Sequence, residues 1–412
     1  MPAPRTAIAL PHKNTERSGP MSRGTTLLFA CAAGMSVANV YYAQPLLDAL
    51  AYDFSISHAA IGGIVTATQI GCALALLLLV PLGDLLDRRR LMLAQVLMLA
   101  AALVAVGMAQ STLVLLLAML LTGMLGTAMT QGLISYAASA AAGHERGKVV
   151  GAAQGGVFIG LLVARVLAGG ISDLAGWRSV YFCSAGAMLV LAILLWRCLP
   201  VLAAAERRMG YRSLIASMFT LLLRDRVLQV RGVLALLMFA AFNIFWSALV
   251  LPLSAPPYGF SHTAIGAFGL VGAMGALAAT WAGRLADRGF EQQTSMAALL
   301  LILVAWLPLS LMHLSLWALV IGIILLDLGG QGIHVTNQSM IFRSSQEAHS
   351  RLVAVYMMFY AIGSGMGAMA TTATYALAGW QGVCLLGTGV TALALVFWKM
   401  TQRLLSHSSA KS

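Results

Sequence analysis

Twelve long apolar runs, each closed by a short polar or charged connection, leave this chain few ways to fold. About 20 apolar residues are what about 30 Å of hydrocarbon demands. Inside that layer every backbone N–H and C=O must find a partner without water, which only helices and closed barrels achieve. Alternating lipid-facing strands are absent from the pattern, so the spans read as helices. With 60% hydrophobic residues, 9% charged residues and a mean hydropathy of +0.88, the chain is excluded as an ordinary soluble domain, in which about a quarter of residues are charged. The runs cover about 24–47, a second ending at Pro81, then 91–109, 112–135, 149–172, a sixth ending near Pro200, 230–252, 263–283, 295–313, 315–341, 351–374 and 380–400. Ser57 is expected to cap the second.

The chain is also written twice. Gly83-Asp84-Leu85-Leu86-Asp87-Arg88 and Gly283-Arg284-Leu285-Ala286-Asp287-Arg288 share Gly-x-Leu-x-Asp-Arg at an offset of 200 residues. Ser57-His58-Ala59-Ala60-Ile61-Gly62 returns as Ser261-His262-Thr263-Ala264-Ile265-Gly266 at 204, and Ala175-Gly176-Trp177 as Ala378-Gly379-Trp380 at 203. Three echoes in one order, all at segment boundaries, predict an internal repeat of about half the chain, a common construction among transporters. The expected organisation is a tail over 1–23, a six-helix half over 24–200, a linker over 201–229, a second half over 230–403 and a tail over 404–412.

A formal charge of +12 could suggest nucleic acid, but its placement argues otherwise. Of 25 Lys and Arg, 23 fall in alternate connections or at the termini, Arg165 and Arg178 being the exceptions. The positive-inside bias then puts that set and both termini in the cytoplasm and makes the number of spans even. Five cysteines without paired spacing predict neither a disulfide framework nor a metal site, and no cofactor is expected. Residues 1–23 are polar and basic, with no removable signal peptide expected. Gly143-His144-Glu145-Arg146-Gly147-Lys148-Val149 resembles a phosphate loop only superficially: its glycines are too close, and Val149 stands where Ser or Thr is needed.

Polar residues inside the spans are the candidate machinery, since lipid cannot serve them. The first span holds Asn39, Tyr41, Tyr42 and Gln44, with Tyr41, Gln44 and Asp48 on one expected helical face; an interfacial aromatic belt is the plain alternative for the tyrosines. Gln131 lies in the fourth span, for which a single interhelical hydrogen bond is a sufficient account. Gln154, Arg165 and Ser172 share one side of the glycine-rich fifth. Between the halves, Tyr211, Leu214, Ile215, Met218 and Leu222 form an apolar stripe flanked by arginines, the pattern of a helix lying on a membrane surface. In the tenth span Asp327, Gln331, His334 and Gln338 form a polar stripe flanked by Asn337.

Two six-span halves, a basic central loop and the duplicated Gly-x-Leu-x-Asp-Arg resemble the major facilitator superfamily over about 24–403. Tyr41-Tyr42-Ala43-Gln44-Pro45, Ala164-Arg165, Gly176-Trp177-Arg178 and Leu326-Asp327-Leu328-Gly329 resemble its bacterial drug-antiporter-like exporters. The resemblance implies an all-α membrane protein of twelve transmembrane helices in two repeats, alternating access and a cavity lined by the first, fourth, seventh and tenth spans. It also implies cytoplasmic gates built from Gly83, Asp87, Arg88, Gly283, Asp287 and Arg288. Asp87 would favour the positive end of the eleventh span, and Asp287 that of the fifth. The chain departs from the pattern in lacking the Gly-Pro of the fifth span and the arginine of the fourth.

The resulting expectation is a bacterial inner-membrane exporter of a small organic molecule, driven by proton antiport, monomeric and without nucleic-acid partners. Its partners would be substrate, protons and the bilayer. Facilitated or symport import, a membrane enzyme built on Ser364 and His334, and a non-transporting sensor are the alternatives. The expected cavity holds Asn39, Tyr41, Tyr42, Gln44, Gln131, Asn243, Trp246, Gln331, Asn337, Tyr356 and Tyr360; Asp327, Arg165 and His334 are expected to serve proton coupling. Asp327 is the only acidic residue well inside a span. Counted at about 1.5 Å per residue, its depth matches that of Arg165, so the two are expected to pair in one state of the cycle and separate in the next.

Overall fold

The computed structural model describes residues 22–141, 145–199, 210–344 and 349–409. Gly143, His144 and Pro200, named above, and Arg5, Lys13, Arg17, Arg207, Arg208 and Lys411, among the basic residues counted above, lie outside the described residues.

The first half contains α1 (Arg23–Tyr41), a 3-10 turn (Gln44–Leu46), α2 (Leu47–Phe54), α3 (Gly62–Leu74), α4 (Arg88–Gly107), α5 (Thr112–Ala140), α6 (Arg146–Ala175) and α7 (Trp177–Cys198). After the linker helix α8 (Tyr211–Arg224), the second half contains α9 (Arg226–Ala248), α10 (Val250–Ser254), α11 (His262–Val271), α12 (Gly275–Asp287), α13 (Glu291–Ser310), α14 (Leu316–Ser344) and α15 (His349–Ser409). Among the described residues eleven segments are long and apolar enough to cross a membrane, and the last, Arg351–Gln402, is two spans in one. Gly379 divides it at φ 60°, ψ −158°, a left-handed backbone that a Cβ opposes. The described spans therefore number twelve.

Short polar side chains start the helices where apolar sequence begins. Ser22, Asp87, Ser111, Asp225 and Ser261 each accept a backbone N–H three residues on, serving donors that the first turn leaves orphaned. Ser57 does not cap the second span: its carbonyl accepts from Ala60 and Ile61 in a preceding turn, and α3 begins at Gly62. Tyr41, Gln44 and Asp48 do not lie on one continuous α-helix, because α1 ends at Tyr41, a 3-10 turn covers Gln44–Leu46 and α2 begins at Leu47. Pro45 has no N–H to continue the ladder.

The glycines of α6 divide by function. A Cβ at Gly160 would lie 2.2 Å from the carbonyl oxygen of Gly34, and one at Gly156 would lie 2.0 Å from that of Ala30, so α1 and α6 touch backbone to backbone. Gly151 and Gly155 face open space. Gly160→Leu is therefore expected to split α1 from α6 and abolish a monodisperse gel-filtration peak. A wild-type elution profile with unchanged thermal midpoint would contradict this packing.

One end of the bundle carries Arg88–Arg90, Arg284, Arg288 and Arg343 and is called the basic face below; the other is the far face. Arg178, at the far face, pairs with Asp53, which also accepts from Trp177 Nε1 at 3.0 Å. The other exception, Arg165, is buried. Arg231 belongs to neither group: it reads as a connection residue by position, yet it is fully buried inside α9, donating to Ser295 Oγ at 2.8 Å and Asn337 Oδ1 at 3.2 Å. The α8 stripe packs against protein instead of facing outward: Leu214 and Met218 are buried, Ile215 and Leu222 half-buried, and Tyr211 donates to the Leu78 carbonyl at 2.9 Å, whereas the exposed apolar residues Phe219 and Leu223 lie outside the stripe.

The halves meet at the far face. Gly62 N–H donates to Thr372 Oγ1 at 3.2 Å, and Thr66 Oγ1 donates to the Gly365 carbonyl at 2.8 Å. At the basic face, Arg89 donates to the Trp196 carbonyl and Arg343 pairs with Glu291, contacts that each stay within one half.

Candidate functional site

The break after α1 turns Gln44 into the middle of the bundle, where its amide joins the halves. Its Oε1 accepts from Arg165 Nε at 3.2 Å and Nη2 at 2.9 Å, and its Nε2 donates to Asn243 Oδ1 at 3.1 Å. Asn243 Nδ2 then donates to Ser364 Oγ at 2.9 Å. A polar chain thus runs from α6 through the 3-10 turn to α9 and α15. The Arg165 guanidinium lies over the Trp246 ring at 4.1 Å and near the Tyr41 ring at 5.6 Å. Tyr41 meets Tyr360 hydroxyl to hydroxyl across the halves. Gln44, Pro45, Arg165, Trp246, Leu249 and Ile265 border a small cavity here.

Asp327 stands on α14 beside this region, facing the break between α11 and α12. A Cβ at Gly272 would lie 3.0 Å from Asp327 Oδ2, so the missing side chain leaves room for the carboxylate. Asp327 is buried, and its Oδ2 has no hydrogen-bond partner among the described residues. No ion pair joins it to Arg165 among the described residues; the guanidinium instead serves the neutral Gln44. The expected Arg165–Asp327 pair is therefore not formed in this structure.

The rest of the α14 stripe divides by depth. Gln331 packs towards Gly275, whereas His334 turns to α15 and α9, with Nδ1 2.9 Å from Tyr356 Oη and its ring 5.3 Å from that of Phe239. Gln338 Nε2 lies 3.3 Å from His334 Nε2. His334 and Ser364 are therefore engaged with different partners, and neither hydrogen-bonds the other as a base and nucleophile would. Asn337 is buried on Arg231.

Asn39 does not join the bridging chain. Its amide donates to the Met35 carbonyl at 2.9 Å and accepts from Ser184 Oγ at 2.6 Å, between α1 and α7. Tyr42 is buried and Gln131 half-buried. At the basic face, Asp87 accepts from Arg90 N–H of its own helix at 2.9 Å and Arg88 Nε donates to the Gly83 carbonyl at 2.8 Å. Asp287 and Arg288 are exposed, and Gly283 is half-buried.

Two features escaped the sequence reading. Arg231 lies only five residues after Arg226, and hydropathy does not distinguish a buried guanidinium from a loop arginine near a span's end. The second is a cluster of Asp48, Asp173 and His262 at the far face. Its one sequence signal is that His262 follows the capping serine in the duplicated Ser-His motif.

A family described as Major Facilitator Superfamily matches residues 28–345 and 233–411. The chain is 41% identical over 384 residues to the putative uncharacterized transporter YgaY of Escherichia coli (strain K12), covering 93% of this chain and 97% of that protein. It is 30% identical to the probable transporter SCO4007 of Streptomyces coelicolor, covering 93% and 89%. Among solved structures, a bacterial homolog of the human lysosomal transporter Spinster, inward-facing and unoccupied, aligns with a TM-score of 0.75 at 14% identity, covering 92% of this chain and 97% of that one. A point mutant of the nucleoside transporter NupG aligns at 0.72 and 12% identity, covering 91% and 99%.

Proposed function

Because the chain belongs to the major facilitator superfamily, we propose that it exports a small organic molecule across the bacterial inner membrane by alternating access, driven by proton antiport. The observation that carries this reading is the inter-half site: a bridging amide, a buried guanidinium on an indole face, and an unpaired buried carboxylate beside them. Groups contributed by both halves can change partners when the halves rock, which a permanent core has no need to do.

In this reading the basic face is cytoplasmic, as are both termini, and the contacts of Gly62 and Thr66 with Thr372 and Gly365 close the far side. The substrate-contacting groups are Tyr41, Gln44, Asn243, Trp246 and Tyr360, with Tyr42, Asn39, Gln131, Gln331, Asn337 and Tyr356 around them. Asp327 carries the proton, with Arg165 and His334 tuning it. Gly83, Asp87, Arg88 and Gly283, Asp287, Arg288 close the cytoplasmic side in the opposite state. The protein works as a monomer in the bilayer.

Proteoliposomes with an imposed pH gradient test the reading, with candidate ligands first chosen by thermal shift, since a ligand well above its Kd stabilises the bound state. Substrate driven against its gradient in the direction opposite to protons is expected; accumulation with protons would establish symport instead. The orientation has its own test in intact cells. A cysteine at His58 is expected to react with an impermeant maleimide and one at Arg288 to be protected, and the reverse pattern would invert the topology.

A further inference from the structure

We propose that His262 is a second proton-binding site of the transport cycle, an imidazolium clamped between two carboxylates of the other half that holds the far side shut. It rests on the alternating-access reading above. His262 opens α11 in the second half, while Asp48 on α2 and Asp173 on α6 belong to the first. His262 Nδ1 lies 3.0 Å from Asp173 Oδ1, and Nε2 lies 3.0 and 3.2 Å from the two oxygens of Asp48. Each ring nitrogen thus faces a carboxylate.

A neutral imidazole has one N–H and one lone pair, so one carboxylate would face a lone pair at hydrogen-bond distance; an imidazolium donates to both. Asp173 is held independently of the ring. It also accepts from the backbone N–H of His262 at 3.1 Å and of Thr263 at 2.8 Å, and from the Thr263 hydroxyl, at the positive end of α11. The proton-dependent contact is therefore the one to Asp48. The closed latch therefore favours the protonated ring more than the opened one does, and this advantage is lost as pH rises and the ring gives up its proton.

Water reaches the site: the side chains of His262, Asp48 and Asp173 are 21%, 22% and 25% exposed. The proton lost on opening goes to solvent at the far face. Other charged groups on the neighbouring elements are committed elsewhere. Asp53 on α2 pairs with Arg178, Arg165 on α6 serves Gln44, Asp327 on α14 lies at Gly272, and α10 and the 3-10 turn carry no charge. Closure is tight. A Cβ at Gly169 would lie 2.2 Å from the His262 carbonyl oxygen, and one at Gly266 would lie 2.3 Å from that of Arg165. The two helices can separate only as bodies, and separation removes His262 from both carboxylates.

The test uses the full-length chain in nanodiscs without substrate, its five native cysteines replaced. Spin labels are placed at His58→Cys and Leu314→Cys, exposed far-face positions in different halves, and their separation is measured by pulsed electron resonance at pH 5.5 and pH 8.5. The far-open population is expected to rise about tenfold at the higher pH, the order that loss of one charge-assisted hydrogen bond produces. His262→Arg, a permanent cation, should stay closed at both pH values. Asp48→Asn, whose amide donates to a neutral ring at any pH, should show no response. Two populations whose ratio ignores pH in the parent, or an undiminished response in Asp48→Asn and His262→Arg, would overturn the assignment. A single distance in every variant would overturn alternating access as well.

Discussion

Asp327→Asn is expected to leave a folded protein that binds its substrate and to remove the pH dependence of transport, so that substrate equilibrates but no longer accumulates. A carboxylate at this depth is costly unless it is paired, hydrated or able to take a proton. Asp327 is 5% exposed, and its Oδ2 accepts no hydrogen bond among the described residues. Asparagine preserves the volume and one carbonyl oxygen beside Gly272, where a Cβ would lie 3.0 Å from Oδ2, but it can neither take up nor release a proton. Folding should be spared because no ion pair among the described residues depends on the charge. Counterflow and pH-jump assays on reconstituted protein separate exchange from coupling. Uphill export by Asp327→Asn with the parental pH profile would remove Asp327 from the coupling mechanism.

Arg165→Gln is expected to destabilise the protein by about 2–4 kcal/mol, because the guanidinium makes two charge-assisted hydrogen bonds, worth about 1.5–3 kcal/mol each, and a desolvated contact with Trp246 worth up to about 2 kcal/mol. Part of that is offset by relief from burying the charge. Gln44→Ala should share the loss: Arg165 Nη2 lies 2.9 Å from Gln44 Oε1, and groups in one network couple by about 0.5–3 kcal/mol. The double variant of Arg165 and Gln44 is therefore expected to cost less than the two singles added, as read from detergent unfolding midpoints converted through matched calorimetry. A permanent Arg165–Asp327 ion pair makes the opposite demand. It requires Arg165→Gln to be rescued by Asp327→Asn, and such rescue would show that the two charges, not Arg165 and Gln44, form the structural unit.

Much of the fold was readable because lipid imposes a one-dimensional rule. A segment that must satisfy its own backbone shows itself by length and apolarity alone, so α4, α5, α7 and α13 fall close to the runs seen in the sequence. The repeat was legible for a related reason: charged signatures are rare in such chains, and two copies of Gly-x-Leu-x-Asp-Arg stand out. The polar stripe of α14 was legible because helical periodicity fixes which of its own residues are neighbours. His334 and Gln338 do lie side by side, 3.3 Å apart.

Partners across the halves were not legible, since they depend on the rotation and crossing of helices far apart in the chain. Gln44 looked like the middle member of a helical face with Tyr41 and Asp48. The break at Pro45 sends it instead to Asn243 and Arg165, while Asp48 goes to His262. Asn39 has the same composition signal as Asn243, yet α1 turns it towards Ser184 inside its own half. Arg231 shows the limit most plainly. Hydropathy counts it as a charge near a span's end, and only the tertiary arrangement brings Ser295 of α13 and Asn337 of α14 to meet it. The sequence alone determined which segments cross the membrane and that they do so twice over, because each span solves its own hydrogen-bond problem. The tertiary structure alone decided which buried charges meet which partners, because a polar group's partner in hydrocarbon is whatever a neighbouring helix presents.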